Sequence, residues 1–313
     1  MRRFDVTQTK APLLLCIGDI DMDLIVRVKS PPGRDQKVDA TRVTQSGGGM
    51  AANVAVGARR LGTPSRIVGS VGDDTLGREA LGVLATERVD HRFVAVKPGE
   101  TTFFCVIMVD DAGEKSLIKV LSPVYLPRPD DLVADAFAGV SHVHLTFTSP
   151  ELAARAIAMA RVVGATLSLD LEAADLPKAG AFLPDLLRAV DLLFLSENSR
   201  REAEQIIGPL ENAGPRMVLT TLGNRGAMLE HSGGRFTVPG HRVKVVDTSG
   251  AGDAFAAAFL HSWLGGHALE TALVFANAAA ALSTRAYGAQ GGLADGDEVD
   301  AFLSHFSKEQ SDA

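Results

Sequence analysis

Six short apolar runs recur along this chain, at residues 13–17, 66–71, 142–145, 166–169, 192–195 and 217–222, with helical patterns between them at 76–86, 150–162, 181–189 and 200–207. Strand–helix alternation of this kind folds into a mostly parallel sheet covered on both faces, because a parallel crossover needs a helix-length connection that packs back onto the sheet. The expected fold class is α/β, a three-layer α/β/α arrangement with ligands at the carboxyl ends of the strands. No repeat, low-complexity stretch or long linker interrupts the order, so residues 1–313 read as a single domain with a frayed tail at 308–313.

Two stretches break the alternation. Residues 37–45 are strand-like, and 93–96, 101–109 and 116–121 read as further strands, the last two joined by the turn Asp110-Asp111-Ala112-Gly113-Glu114. Together they predict a small β-sheet projecting from the main body, its strands drawn from about 34–45 and 92–121. Gly113-Glu114-Lys115-Ser116 is no nucleotide-cradling P-loop, since glutamate stands where the residue before the lysine must be glycine.

The chemistry concentrates in glycine-rich joints. Asp247-Thr248-Ser249-Gly250-Ala251-Gly252-Asp253 runs directly into an apolar helical segment at 254–264. Small residues let backbone approach an anion closely, and a helix N-terminus offers free N–H groups and a favourable dipole. Asp253 in that field either caps the helix or takes a proton beside the anion. A second cluster, Ser46-Gly47-Gly48-Gly49, opens a small-residue helix that Gly62 closes, with Asn53 one turn inside, suited to hydroxyls. The first strand ends in Gly18-Asp19-Ile20-Asp21-Met22-Asp23. Three buried acids so close would repel one another, so solvation of one or two is expected, with one left to hold ligand hydroxyls.

Other classes are excluded by what is missing. No G-x-G-x-x-G follows the first strand, and Phe255 stands where Gly250-Ala251-Gly252 would need a third glycine. No metal-ligand spacing of His or Cys occurs, and Cys16 and Cys105 read as buried thiols. His142 and His144 read as structural. A net charge of −7 gives no support to nucleic-acid or anionic-membrane binding. The run after Met1-Arg2-Arg3 is too short for a secretion signal, and no stretch is apolar enough to span a bilayer, so the expected location is the cytoplasm.

In this order, Gly48-Gly49-Met50-Ala51-Ala52-Asn53 through Leu61-Gly62, Gly72-Asp73-Asp74-Thr75-Leu76-Gly77, Thr221-Leu222-Gly223-Asn224-Arg225-Gly226-Ala227, Asp247 to Asp253, Asn277-Ala278-Ala279-Ala280-Ala281 and Gly288-Ala289-Gln290 resemble the ribokinase-like, or phosphofructokinase-B, family of carbohydrate kinases. The resemblance covers nearly the whole chain. It implies transfer of the γ-phosphoryl group of ATP, with Mg2+, to a hydroxyl. Asp253 would be the general base, and the N–H groups around Gly250, Ala251 and Gly252 the anion hole. Asp23, Gly48, Gly49 and Asn53 would hold the sugar, with Asp21 a lesser candidate. Ser196, Thr221, Gly223, Gly226 and Asn277 would serve the ATP pocket. Asp247, Ser249 and the turn 283–288 occupy positions where many relatives bind a monovalent cation such as K+. The small sheet would be a lid over the sugar and the surface of a homodimer.

The chain departs from the family pattern at Ser196-Glu197-Asn198-Ser199, where relatives carry Asn-x-x-Glu to organise magnesium-bound water, and at Asp170-Leu171-Glu172, where Asp-x-Asn is commoner. Glu197 is the expected indirect magnesium contact, and Asn198 or Glu202 could replace the missing residues only with a shift in register. Serine at the first position is similar to ketohexokinases and sulfofructose kinases, which favours a ketohexose acceptor. An anionic acceptor would need a basic residue in the pocket. Residues 145–150 offer none, while Arg34, Lys37 and Arg42 lie near the lid. A nucleoside kinase and a catalytically silent sugar sensor on the same scaffold remain the alternatives.

Overall fold

The computed structural model describes residues 11–111, 114–146 and 149–311. The chain opens with β1 (Leu14–Ile17), β2 (Asp21–Arg27), β3 (Arg42–Gly48), α1 (Met50–Arg60), β4 (Ser65–Val68), β5 (Ser70–Gly72) and α2 (Thr75–Thr86). It continues through β6 (Ala95–Lys97), β7 (Phe104–Val109), β8 (Lys115–Val120), β9 (His142–Thr146), α3 (Pro150–Val163), β10 (Thr166–Asp170), α4 (Leu176–Ala179) and α5 (Leu183–Ala189). The last part holds β11 (Leu192–Ser196), α6 (Glu197–Ile207), β12 (Met217–Thr221), β13 (Ala227–His231), β14 (Gly234–Val238), α7 (Ala251–Leu264), α8 (Leu269–Ser283) and α9 (Gly296–Ser311).

Eight strands form the main sheet in the order β14-β13-β12-β11-β10-β9-β1-β4. All its pairs are parallel except the two that β13 makes. Its central strands have no polar face because both faces are covered. In β1, Leu14 and Cys16 pack into one core with α1, α7 and α8, while Leu15 and Ile17 pack into the other with α3 and α5. In β11, Leu192 and Phe194 face the first core and Leu193 and Leu195 the second. α7 is buried along most of its length, which explains its Ala- and Phe-rich sequence without a polar stripe. The α/β architecture of the sequence reading is thus the one observed.

A second sheet, β3-β2-β7-β8, stands apart as the lid. Its composition differs from the sequence reading. β2 carries Asp21 and Asp23 into the lid, although the sequence reads that segment as the end of the first strand, because the alternation of its acids with Ile20, Met22 and Leu24 has strand period. β3 begins at Arg42 rather than near residue 37 and runs through Ser46-Gly47-Gly48. β6 is not a lid strand; it pairs with β5 in a separate two-stranded sheet. The run 66–71 breaks at Gly69 into β4 and β5, which join different sheets. The β13–β14 hairpin was not foreseen. Of the lid turn, Ala112 and Gly113 lie outside the described residues, as do Phe147 and Thr148 after β9. The expected frayed tail is helical to Ser311, and Asp312 and Ala313 lie outside the described residues.

Candidate active site

α1 and α7 pack side by side, and both begin at glycine. Gly250 is the N-cap of α7 with φ +71°, and a Cβ there would lie 2.7–2.9 Å from Ala289, so the turn requires glycine. Asp253 therefore does not cap its helix. It sits in the first turn, where its Oδ2 accepts a 2.7 Å hydrogen bond from Asn53 Nδ2, and Asn53 Oδ1 accepts one of 3.0 Å from Gln290 Nε2. Asn53 thus reaches across to hold Asp253. Burial raises the Asp253 carboxyl to about 7, the Asn53 hydrogen bond opposes that rise, and Asp19, Glu172 and Asp23 add to it.

Asp19, Asp21 and Asp23 are all buried, at 4%, 5% and 6% exposure, so the expected solvation does not occur. The strand puts Asp21 and Asp23 on one face, opposite Gly48 and Ser46. Gly48 makes the room: a Cβ there would lie 2.1 Å from Asp21 Oδ1 and 2.8 Å from Asp23 Oδ2. Burial and mutual repulsion favour the protonated forms of these acids. Burial raises Asp21 well above the usual carboxylate range, reinforced by Asp23, Asp19 and Asp253. Burial raises Asp23 to about 7, reinforced by Asp247 and Asp19. Asp19 is spent partly on structure, accepting from the Ala51 N–H at the start of α1. Asp21 Oδ1 is a buried oxygen with no hydrogen-bond partner among the described residues.

Asp253 also lines a cavity of about 450 Å³, with Gly250, Ala251 and Gly252 and with Asp170, Glu172, Ser196, Asn198 and Thr221. Ser196 is the N-cap of α6, accepting from the Ser199 N–H at 3.0 Å, and Ser199 Oγ accepts from the Ala173 N–H. Glu197 lies outside this lining, exposed and paired with Arg225. Asn198 donates to Glu202 at 2.8 Å. Gly223 and Gly226 bracket the short turn after β12, and Asn277 on α8 donates to the Pro239 carbonyl at 2.9 Å. Asp247 is buried beside the anion-hole turn, with Ser249 donating to it twice.

Sequence reasoning passed over three groups. Gln290 stands in a quoted motif but its contact with Asn53 spans the fold. Asp170 and Glu172 were noticed only as a departure from the family pattern. Lys115 and Lys119 alternate on β8, and their positive charge reaches the acids: Lys115 that of Asp23, and Lys119 those of Asp19 and Asp21. His142 and His144 are fully buried within the sheet, hydrogen-bonded to Ser168, and structural. Cys16 and Cys105 are buried free thiols. Among the described residues no helix is long and apolar enough to cross a membrane.

A glycine-capped helix start with a buried carboxylate in its first turn, in a mostly parallel sheet with a smaller second sheet, here belongs to an ATP-dependent carbohydrate kinase, as its relatives show. The chain belongs to the pfkB family of carbohydrate kinases, whose description matches residues 11–295. It is 34% identical over 300 residues to an ATP-dependent ribose-1-phosphate kinase of Halopiger xanaduensis, covering 93% of this chain and 98% of the relative. It is 32% identical over 313 residues to a fructokinase of Klebsiella pneumoniae, covering 92% and 98%. A nucleoside kinase of Methanothermobacter thermautotrophicus is 27% identical over 304 residues, covering 95% and 97%. The fold matches that of Arabidopsis thaliana ribokinase solved with ribose and ATP, with a TM-score of 0.78 at 24% identity, covering 94% of this chain and 99% of that one. The acceptor class is accordingly a sugar or a nucleoside.

A Cβ at Gly252 would meet nothing within 4 Å, because that side of the residue faces open space. Gly252→Val is therefore expected to keep the wild-type melting temperature while kcat falls, as the branched side chain fills space at the anion hole. A variant with normal kcat would show that the transferred group never comes near this turn.

Proposed function

We propose that the chain transfers the γ-phosphoryl group of ATP to a hydroxyl of a small sugar. In this reading Asp253 is the general base, Asp21 and Asp23 hold the sugar hydroxyls, and the first turn of α7 receives the phosphate. The observation that carries it is the position of Asp253, fixed by Asn53, lining the cavity together with the glycine turn and coupled electrostatically to Asp19 and Asp23. The carboxylates of Asp170 and Glu172 suit Mg2+, a hard cation that binds through one or two carboxylates plus phosphate oxygens and water. Bound there, Mg2+ would supply positive charge to the phosphates. Glu197, turned to Arg225, is the weaker choice for that role.

Asp253→Asn should leave sugar and ATP binding largely intact and lower kcat by about 10²–10⁴-fold, the usual contribution of a general base. The base works as its carboxylate, so wild-type kcat/KM should rise with pH through about 7, the raised value of Asp253, and level off above it. A profile flat from pH 5 to pH 9 would remove Asp253 from the proton transfer.

A ketohexose is the favoured acceptor. It is supported by the 32% identity to a fructokinase and by Ser196 in the position that resembles ketose kinases. A specific observation favours a second reading, an acceptor that already carries phosphate: Lys119 reaches the acid cluster from the lid, and the 34% identical relative is named a ribose-1-phosphate kinase. ADP release with ATP, Mg2+ and a panel of fructose, ribose, ribose 1-phosphate and adenosine separates these. Asp23→Ala should raise the sugar KM by roughly ten- to hundred-fold and the ATP KM little, given about 1.5–3 kcal/mol for a hydrogen bond to a charged group. Activity with adenosine alone would sink the sugar reading, and binding of sugars without ADP release would make the protein a sensor.

The outer face of the lid is proposed as the contact between two copies of the chain. It carries Val43 at 61% exposure, Ile118 at 51% and Val120 at 37%, beside the half-buried Val26, Val106 and Met108. Sedimentation should show a dimer that the double variant Val43→Glu, Ile118→Lys converts to monomer; a wild-type monomer would refute the contact.

A further inference from the structure

The family resemblance implies a monovalent cation at Asp247 and Ser249, but in this structure a side-chain cation already stands against both residues. Asp247 Oδ1 accepts from the Ser249 N–H at 2.9 Å and from the Ser249 hydroxyl at 2.8 Å, and Oδ2 accepts from the Gly288 N–H at 2.9 Å. The remaining charge is met from the lid. The ammonium of Lys115, the first residue of β8, lies 3.4 Å from Asp247 Oδ1 and donates to Ser249 Oγ at 3.0 Å. The Asp247 side chain is 1% exposed and that of Lys115 30%, so the pair closes over a carboxylate that water does not reach.

We propose that the Lys115 ammonium takes the place of a monovalent cation beside the anion-hole turn and pins that turn to the lid. A carboxylate buried this deeply needs a positive partner or a proton. Burial would raise Asp247, but the N–H groups of Gly288 and Ser249, the Ser249 hydroxyl and Lys115 hold it below the usual value, so it stays ionised. The Asp247 loop is tied at its start to the end of α8, with the N–H groups of Val246 and Asp247 on the Thr284 carbonyl, and leads at its other end into Gly250. A fixed cation on Asp247 therefore fixes the entry to α7. Lys115 belongs to a lid strand, so this charge is present only while the lid lies against the turn. Lys115 is thus a positioning residue, acting on the transferred phosphate through the backbone of the turn.

The inference rests on the kinase reading, and its test has an arm that needs no acceptor. Wild type and Lys115→Met are compared in potassium, ammonium and tetramethylammonium chloride at equal ionic strength, which holds screening constant. Wild-type activity and melting temperature should be the same in all three salts. Lys115→Met should lose about tenfold or more in kcat/KM, by analogy with a lost charged hydrogen bond. Potassium or ammonium should restore part of that loss and raise the variant's melting temperature, since an ion bound only to the folded state stabilises it. Severalfold activation of wild type by potassium would overturn the proposal. So would a Lys115→Met enzyme with wild-type activity, or one whose defect and melting temperature ignore the salt. If Lys115→Met does not fold, the wild-type response alone decides.

Discussion

One hydrogen bond organises this molecule: Asn53 Nδ2 to Asp253 Oδ2, 2.7 Å long between residues 200 positions apart. It joins the first turns of α1 and α7, so two helix N-termini converge at one point. The approach is possible because small residues line the helix contact: a Cβ at Gly57 would come within 2.8 Å of Ala257. Gln290 holds the other end of the Asn53 amide, which leaves that side chain little freedom to swing away. The carboxylate of Asp253 is consequently placed by the packing of two helices rather than by a loop, the kind of support that catalytic geometry requires.

The second constraint is charge. Asp19, Asp21, Asp23, Asp170, Glu172 and Asp253 all lie in or near one region of the fold, and burial raises each of them. Such a cluster cannot be fully ionised when empty. Most of the cations that temper it come from one lid strand, Lys115 toward Asp23 and Asp247 and Lys119 toward Asp19, Asp21 and Glu172, with Lys178 of α4 also reaching Glu172. The lid is therefore an electrostatic component of the site as well as a cover.

The main sheet was legible because buried parallel strands are continuous apolar runs, and 142–145, 192–195 and 217–222 needed only small changes at their ends. The glycine joints were legible because backbone conformation restricts the residue type, as at Gly250. Less could be read where one residue serves two structures. Gly69 divides a single apolar run between two sheets, and β2 hides its strand period under acids that read as the end of the first strand. The solvation expected for Asp19, Asp21 and Asp23 failed because charge spacing along the chain says nothing about proton uptake in a buried site. Asn53 shows the same limit. Its amide looked suited to ligand hydroxyls, yet its partners, Asp253 and Gln290, are brought to it by α7 and the turn after α8. Lys115 gave no signal at all, since its meeting with Asp247 depends on how the lid lies on the body.

The strand β2 leaves the main sheet immediately after β1 and carries Asp21 and Asp23 as part of the lid, while Asp253 is rooted in α7. Cover and cradle are therefore the same piece of polypeptide. On the proposed reading, any swing of the lid sheet relative to α7 would change the separation between the bound hydroxyl and its base, and in the same movement open or shut the path of bulk water. Delivery of the acceptor and exclusion of water as a rival nucleophile would then be one mechanical event, coupling fidelity against wasteful ATP hydrolysis to the presence of the acceptor itself.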